Sequence, residues 1–246
     1  MGETLKVLAI DTSNKTMSVA LGDENGVIGE ITSNANQNHS VQLMPAIEKI
    51  IQDHGWIPSD LTKVVVAKGP GSYTGVRIGV TVAKTLAWTL GIDLVGLSSL
   101  EAIALNVVES NGYISPIFDA RRGQVFTALF KSEAGTLTRI EEDRLRMANE
   151  WADELKNLGQ QVLFVGVDAP IHEAVISQIL GQNALFEYGE KALPSAGKLA
   201  LAGMYLPVED VHRFVPTYAR LAEAETNWLE TQKATSSMGV ETQGEK

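Results

Sequence analysis

Two stretches of this 246-residue chain spell out the same order of elements, and that duplication limits the fold more than any single residue does. In the first stretch, apolar runs at residues 5–10, 16–21 and 27–32 predict three strands, with Asp23-Glu24-Asn25-Gly26 turning the hairpin between the last two. A helix follows from Ser40, with Pro45 in its first turns and Gly55 at its stop. Next come a strand at 63–67, a long helix over 74–90, a strand at 93–97 and a helix capped by Ser99 that runs to about residue 108. The second stretch repeats the pattern, with strands at 113–118, 124–130 and 137–142, a helix over 149–158, a strand at 162–165 and helices over 170–180 and 195–205. Each copy reads βββαβα. In each, the first strand ends on an acid before a tight turn, Ile10-Asp11-Thr12-Ser13 and Phe118-Asp119-Ala120-Arg121, 108 positions apart. That offset is too long for a solenoid period and suits two duplicated α/β lobes. The expected division is residues 1–110 for one lobe, 111–229 for the other, and a disordered tail over 230–246, where only Met238 and Val240 are larger aliphatics.

A chain of this length buries roughly 70% of its extended surface, so it needs no covalent staples. It contains no Cys, which excludes disulfides, thiolate metal sites and thiol nucleophiles. Lys and Arg total 20 against 30 Asp and Glu, a net charge of −10 that repels phosphate backbones and anionic membranes. The apolar stretch over 76–97 is interrupted by Arg77, Lys84 and Asp93, so no membrane span is expected. The first residues lack the pattern of a signal peptide, which makes a cytoplasmic location the expectation.

Three groups of residues are candidates for chemistry. Gly69-Pro70-Gly71-Ser72-Tyr73-Thr74-Gly75 lies between a strand and a helix, where backbone amides hold phosphates. A Walker loop would need Lys-Ser/Thr after the last Gly, where Val76-Arg77 stands, and a dinucleotide loop would need Gly at Thr74. A tight turn with close backbone packing is the competing reading. Asp11, Thr12 and Ser13 at a hairpin tip suit a nucleotide's metal or phosphate, but the turn lacks the Gly that lets backbone approach a phosphate. Asp at a strand end also serves simply to form a turn. No two of His39, His54, His172 and His212 stand at metal-binding helical spacing, and Arg121-Arg122 and the charged run 141–146 read as solvated.

The long helix is more informative. Gly75, Gly79, Ala83 and Ala87 form a small stripe at four-residue spacing, while Val76, Ile78, Val80, Val82 and Leu86 carry bulk on other faces. A helix that covers one sheet needs one apolar face, so a second implies either burial on both sides or a surface awaiting a partner.

Several strings together resemble one family. They are Leu8-Ala9-Ile10-Asp11-Thr12-Ser13, His39-Ser40, the glycine string continued through Val76-Arg77-Ile78-Gly79, Phe118-Asp119-Ala120-Arg121-Arg122-Gly123-Gln124-Val125-Phe126 and Pro216-Thr217-Tyr218-Ala219-Arg220. These resemble the TsaB (YeaZ) proteins of tRNA threonylcarbamoyladenosine biosynthesis, from residue 5 to about 220. The resemblance implies duplicated lobes of the actin-like, Hsp70-like (RNase H-like) fold. It implies a non-catalytic subunit that pairs with the catalytic relative TsaD, with the ATPase TsaE joining them and tRNA reached only through the complex. The catalytic relative carries two metal-binding His in Asn-His-Leu-Glu-Gly-His, and the matching positions here are Ser99 and Ile103. No metal, cofactor or catalytic residue is therefore expected, and Asp11, Thr12 and Ser13 would be a vestigial nucleotide or phosphate site. The partner surface implied lies on the two first-lobe helices, at His39, Met44, Ile47, Ile51, Tyr73, Gly75, Gly79, Ala83 and Ala87. An actin-like ATPase or kinase, or a metallopeptidase-like enzyme, is the alternative, and whether the isolated chain forms a homodimer stays open.

Overall fold

The computed structural model describes residues 4–33 and 39–219. Its first half places β1 (Lys6–Asp11) at the centre of a five-stranded sheet. Around it stand β2 (Met17–Asp23), β3 (Gly26–Ser33), β4 (Lys63–Ala67) and β5 (Asp93–Leu97), in the order β3-β2-β1-β4-β5. The β1–β2–β3 meander is antiparallel, and β4 and β5 join parallel to β1 through helical crossovers. All five residues of β4, Lys-Val-Val-Val-Ala, are buried, as a strand covered on both faces requires. One face of the sheet packs on α1 (His39–Asp53) and α2 (Tyr73–Leu90). Ser72 caps α2 by accepting the Gly75 N–H, and Gly91, at φ +67°, ends it in the left-handed conformation.

The second half repeats this plan. Strands β6 (Gly112–Asp119), β7 (Gln124–Glu133), β8 (Thr136–Met147), β9 (Val162–Val165) and β10 (Ala184–Phe186) stand in the order β10-β9-β6-β7-β8. Read from the other edge, this is the order of the first sheet, so the duplication expected from the repeated grammar is present in the topology. Helices α4 (Ala148–Lys156) and α5 (Ala169–Leu180) cover one face, around buried Trp151, Phe164 and Ile176. The charged run 141–146, expected as a solvated connection, is instead part of β8. Arg144 and Arg146 reach toward Glu154, and Arg139 pairs with both Glu101 and Asp143. Long Arg stems can lie across a half-exposed strand while their heads stay polar.

Two helices pack onto the half opposite to the one the division expected at residue 110 would give them. Helix α3 (Ser99–Ala104), capped by Ser98 rather than Ser99, turns Leu100, Ile103 and Ala104 onto Ile114, Phe118 and Phe130 of the second sheet. Helix α6 (Ala196–Gly203) comes from the second half and packs Leu199 and Ala200 against Val7, Ala20 and Val65 of the first. The chain then stays with the first lobe. Phe214 enters its core, Lys84 donates to the carbonyls of His212 and Phe214, and the Thr217 N–H donates to Lys68 O. Assigning residues 111–229 wholly to the second lobe is therefore corrected, because each lobe completes its core with a helix from the other half. The expected tail, 230–246, lies outside the described residues.

Candidate functional site

The glycine string is a packing device. A β-carbon on Gly71 would overlap Ser13 O, one on Gly75 would overlap Thr12 O, and one on Gly79 would overlap Thr12 Oγ1. The Ser72 N–H donates to Ser13 O at 2.7 Å, and Thr12 Oγ1 donates to Gly75 O at 2.7 Å. The turn after β1 thus occupies the approach that a phosphate would use, and of the two readings of this string it is close backbone packing that the geometry supports.

Asp11 is 1% exposed and folds back on its own turn, its Oδ1 accepting from the Ser13 N–H and hydroxyl at 2.8 and 2.7 Å. Burial pushes its pKa above the ordinary carboxylate value against the lowering pull of those two hydrogen bonds. Its Oδ2 is buried without a hydrogen-bond partner. A carboxyl held in this way is biased toward its neutral form, a poor state for a metal ligand.

Between the lobes lies a polar cleft of about 820 Å³, lined by Ser13, Asn14, Lys15, His39 and Tyr73 on one side and by Phe118, Asp119, Arg121, Phe126 and Asp168 on the other. Asp168 joins the two walls. Its Oδ2 accepts the Asn14 amide at 3.3 Å and the Asp119 N–H at 3.1 Å, while Lys15 Nζ lies 3.5 Å from Oδ1. Asp119 Oδ1 in turn stands 3.0 Å from Nε2 of buried His172. The sequence reading passed over Asp168 and set His172 aside for want of a helical metal pair, and no local spacing could have paired residues 49 and 53 positions from Asp119. Ser99 and Ile103 are both fully buried. Ser99 Oγ accepts the Gly69 N–H at 3.0 Å, and Ile103 belongs to the interlobe core. Among the described residues no group of three or more His, Asp or Glu is placed to hold a metal ion, and no helix is long and apolar enough to cross a membrane.

The nine residues expected on a partner surface divide into three groups. Met44, Ile47 and Ile51 come together in an apolar groove of about 540 Å³ that also includes Trp56, Ile57 and Leu86, with the two Ile on its floor and Met44 exposed on its wall. His39 and Tyr73 stand at the interlobe cleft instead. Gly75, Gly79, Ala83 and Ala87 are buried against the chain's own sheet, so the small stripe admits the β1 turn and sheet rather than a second protein. Their place on a partner surface is corrected accordingly. Exposed Ile57 lines the same groove as Met44, and an isolated apolar residue in a loop carries no periodic signal by which the sequence could have placed it there.

Comparison with known proteins decides the family. The tRNA threonylcarbamoyladenosine biosynthesis protein TsaB of Bacillus subtilis (strain 168) is 47% identical over 229 residues, which is 93% of this chain and 100% of that protein. The chain belongs to the TsaB family. The tRNA threonylcarbamoyladenosine biosynthesis protein TsaB of Escherichia coli (strain K12) is 28% identical over 165 residues, covering 66% of this chain and 71% of that one. The sequence model of the wider family, described as TsaD: tRNA N6-adenosine threonylcarbamoyltransferase, matches residues 8–228 of this TsaB-family chain. YeaZ from Pseudomonas aeruginosa superposes with a TM-score of 0.74 at 21% identity, covering 87% of this chain and 99% of that one, and so shares its fold.

Proposed function

We propose that this chain serves tRNA threonylcarbamoyladenosine biosynthesis as a non-catalytic subunit, pairing with the threonylcarbamoyl-transferring relative TsaD and giving TsaE its place in the complex. The full-length match to a TsaB protein carries this reading. The geometry supports it in two ways. The positions where the catalytic relative has its metal-binding His are here committed to the fold, Ser99 to the Gly69 amide and Ile103 to the interlobe core. The groove between α1 and the Trp56–Pro58 corner leaves Met44 and Ile57 exposed beside a floor of Ile47 and Ile51, which suits an apolar helix of a partner. With a net charge of −10, the chain leaves the main tRNA phosphate contacts to that partner.

Reconstitution tests the proposal. Threonylcarbamoyl transfer to tRNA is measured with the catalytic relative, TsaE and threonylcarbamoyl-adenylate, in the presence and absence of this chain. Transfer that depends on the chain while the chain alone transfers nothing is the expected result. Transfer by the chain alone, or transfer indifferent to it, would overturn the reading.

A further inference from the structure

Among the described residues two links join the lobes. Ser98 alone separates β5 from α3, which packs on the second sheet, and residues 187–195 separate β10 from α6, which packs on the first. Lobes joined by so little chain move relative to one another unless a large apolar interface holds them. The apolar seam lies along α3 and α6, where Ala102 and Leu105 pack with Leu199 and Ala200. The polar cleft is held shut differently, through the carboxylate of Asp168.

Asp168 is buried at the start of α5, and the first-lobe side chain whose amide reaches it is Asn14, in the turn between β1 and β2. Asn14 faces two ways. Its side-chain amide donates to Asp168 Oδ2 at 3.3 Å, while its backbone carbonyl lies 2.8 Å from His39 Nε2. A carbonyl only accepts, so Nε2 of His39 carries the hydrogen of this bond. His39 is the first residue of α1, and the bond therefore fastens the entry of that helix to the β1 turn. Asn14 is itself buried, and its Oδ1 accepts the Lys15 N–H at 2.6 Å. These three bonds form one unit, which ties the second lobe to α1.

We propose that Asn14 couples closure of the cleft to the entry of α1. With its amide on Asp168 the lobes are closed and His39 is held. When the lobes part, the Asn14 amide is left without its acceptor, a cost that the turn relieves by swinging the side chain out to water. That movement carries the Asn14 carbonyl away from His39 and loosens the first turn of α1. Met44, Ile47 and Ile51 follow along the same helix and line the apolar groove beside Trp56, so the position of the lobes sets the shape of that groove. The path of the coupling is a chain of direct contacts, from Asp168 to Asn14 to His39.

Two measurements on the full chain test this. The chain has no native Cys, so spin labels on Thr74→Cys and Arg121→Cys, both at exposed residues that line the cleft from opposite walls, read its width by electron–electron resonance. In Asp168→Ala the label distance is expected to lengthen by about 5 Å, what a rigid-body rotation of about 15° gives at the scale of a lobe. Hydrogen exchange of the Leu43 and Met44 amides, which bond back to the first residues of α1, reads the helix entry. It is expected to be about fivefold faster in Asp168→Ala, the low end of ordinary coupling between sites. The reference is the exchange of the Ala152 and Leu155 amides of α4, which reports overall opening. Asp168→Asn keeps an oxygen for the Asn14 amide and should restore both readings. An unchanged label distance in Asp168→Ala would overturn the proposal, as would a longer distance with no change at Leu43 and Met44. So would Asp168→Asn behaving like Asp168→Ala, because the Asn14 amide would then not be what closes the cleft.

Discussion

Gly79 of α2 lies so close to Thr12 that a β-carbon on it would overlap the Thr12 hydroxyl oxygen. That hydroxyl is held in place by donating to Gly75 O at 2.7 Å, so it cannot move aside cheaply. Gly79→Ala is therefore expected to destabilise the isolated chain by about 1–3 kcal/mol, the range for overpacking a tight core. Urea denaturation followed by circular dichroism checks it, and an unchanged midpoint would mean that the helix shifts freely.

The next turns of the same stripe are as closed. Ala83 is fully buried in the first-lobe core, so Ala83→Arg would bury a charge with no partner. Loss of the folded state is expected, at a cost comparable to the few kcal/mol by which a domain is stable. Expression of a soluble, cooperatively melting variant would contradict this placement of the stripe.

Met44 is the contrasting case. It is 47% exposed on the groove wall, so Met44→Asp should change the stability of the isolated chain by no more than about 0.5 kcal/mol. Under the proposed function it should weaken assembly with the catalytic relative by well over about tenfold, because an unpaired carboxylate would be sealed in an apolar joint. Calorimetric titration of the partner with each variant reads the effect.

Asp11 predicts a pH dependence. Its pKa is raised by burial in the folded chain, so folding favours the protonated form and binds more proton there than the unfolded chain does. The stability linked to this group is present in acid and is lost as pH rises through the folded pKa. Asp11→Asn retains the oxygen that accepts from Ser13 and has nothing to ionise. Its melting temperature relative to the unmodified chain should therefore climb as pH rises from the acid range toward neutrality. A gap that stays flat, or one that widens in acid, would show that Asp11 ionises without cost.

Across the cleft, Asp168→Ala removes one acceptor from two donors, the Asn14 amide and the Asp119 N–H. A loss of about 1–3 kcal/mol is expected from leaving those groups unsatisfied. Lys15→Ala should cost less than about 1 kcal/mol, because that side chain is 76% exposed and its pairing with Asp168 is screened by water. Thermal melts of the two variants side by side separate the contributions.

Most of the elements were legible in the sequence because their signals are local. The alternation and apolar runs of β1, β2, β4 and β6, the glycine-rich turn before α2 and Gly55 after α1 each act within a few residues. Short β10 escaped notice because three residues carry no period, and β8 was cut short because its charges resemble a loop when the strand beneath them is not in view. The candidate site was less legible. Asp11 and Asp119 were picked out as strand-end acids, but the partners that define their environments, His172 and Asp168 above all, come from helical turns far along the chain.

The sequence by itself determined the duplicated βββαβα order, the acid closing each leading strand, the family and the absence of any thiol chemistry, since all of these are properties of residue type and spacing. Only the tertiary structure decided which way α2 faces and which half each of α3 and α6 completes. A helix that is apolar nearly all the way round has no intrinsic inside. The small stripe of Gly75, Gly79, Ala83 and Ala87 was settled by the backbone and side chain of Thr12 and the sheet beneath, whose approach depends on strands brought together from more than sixty positions away.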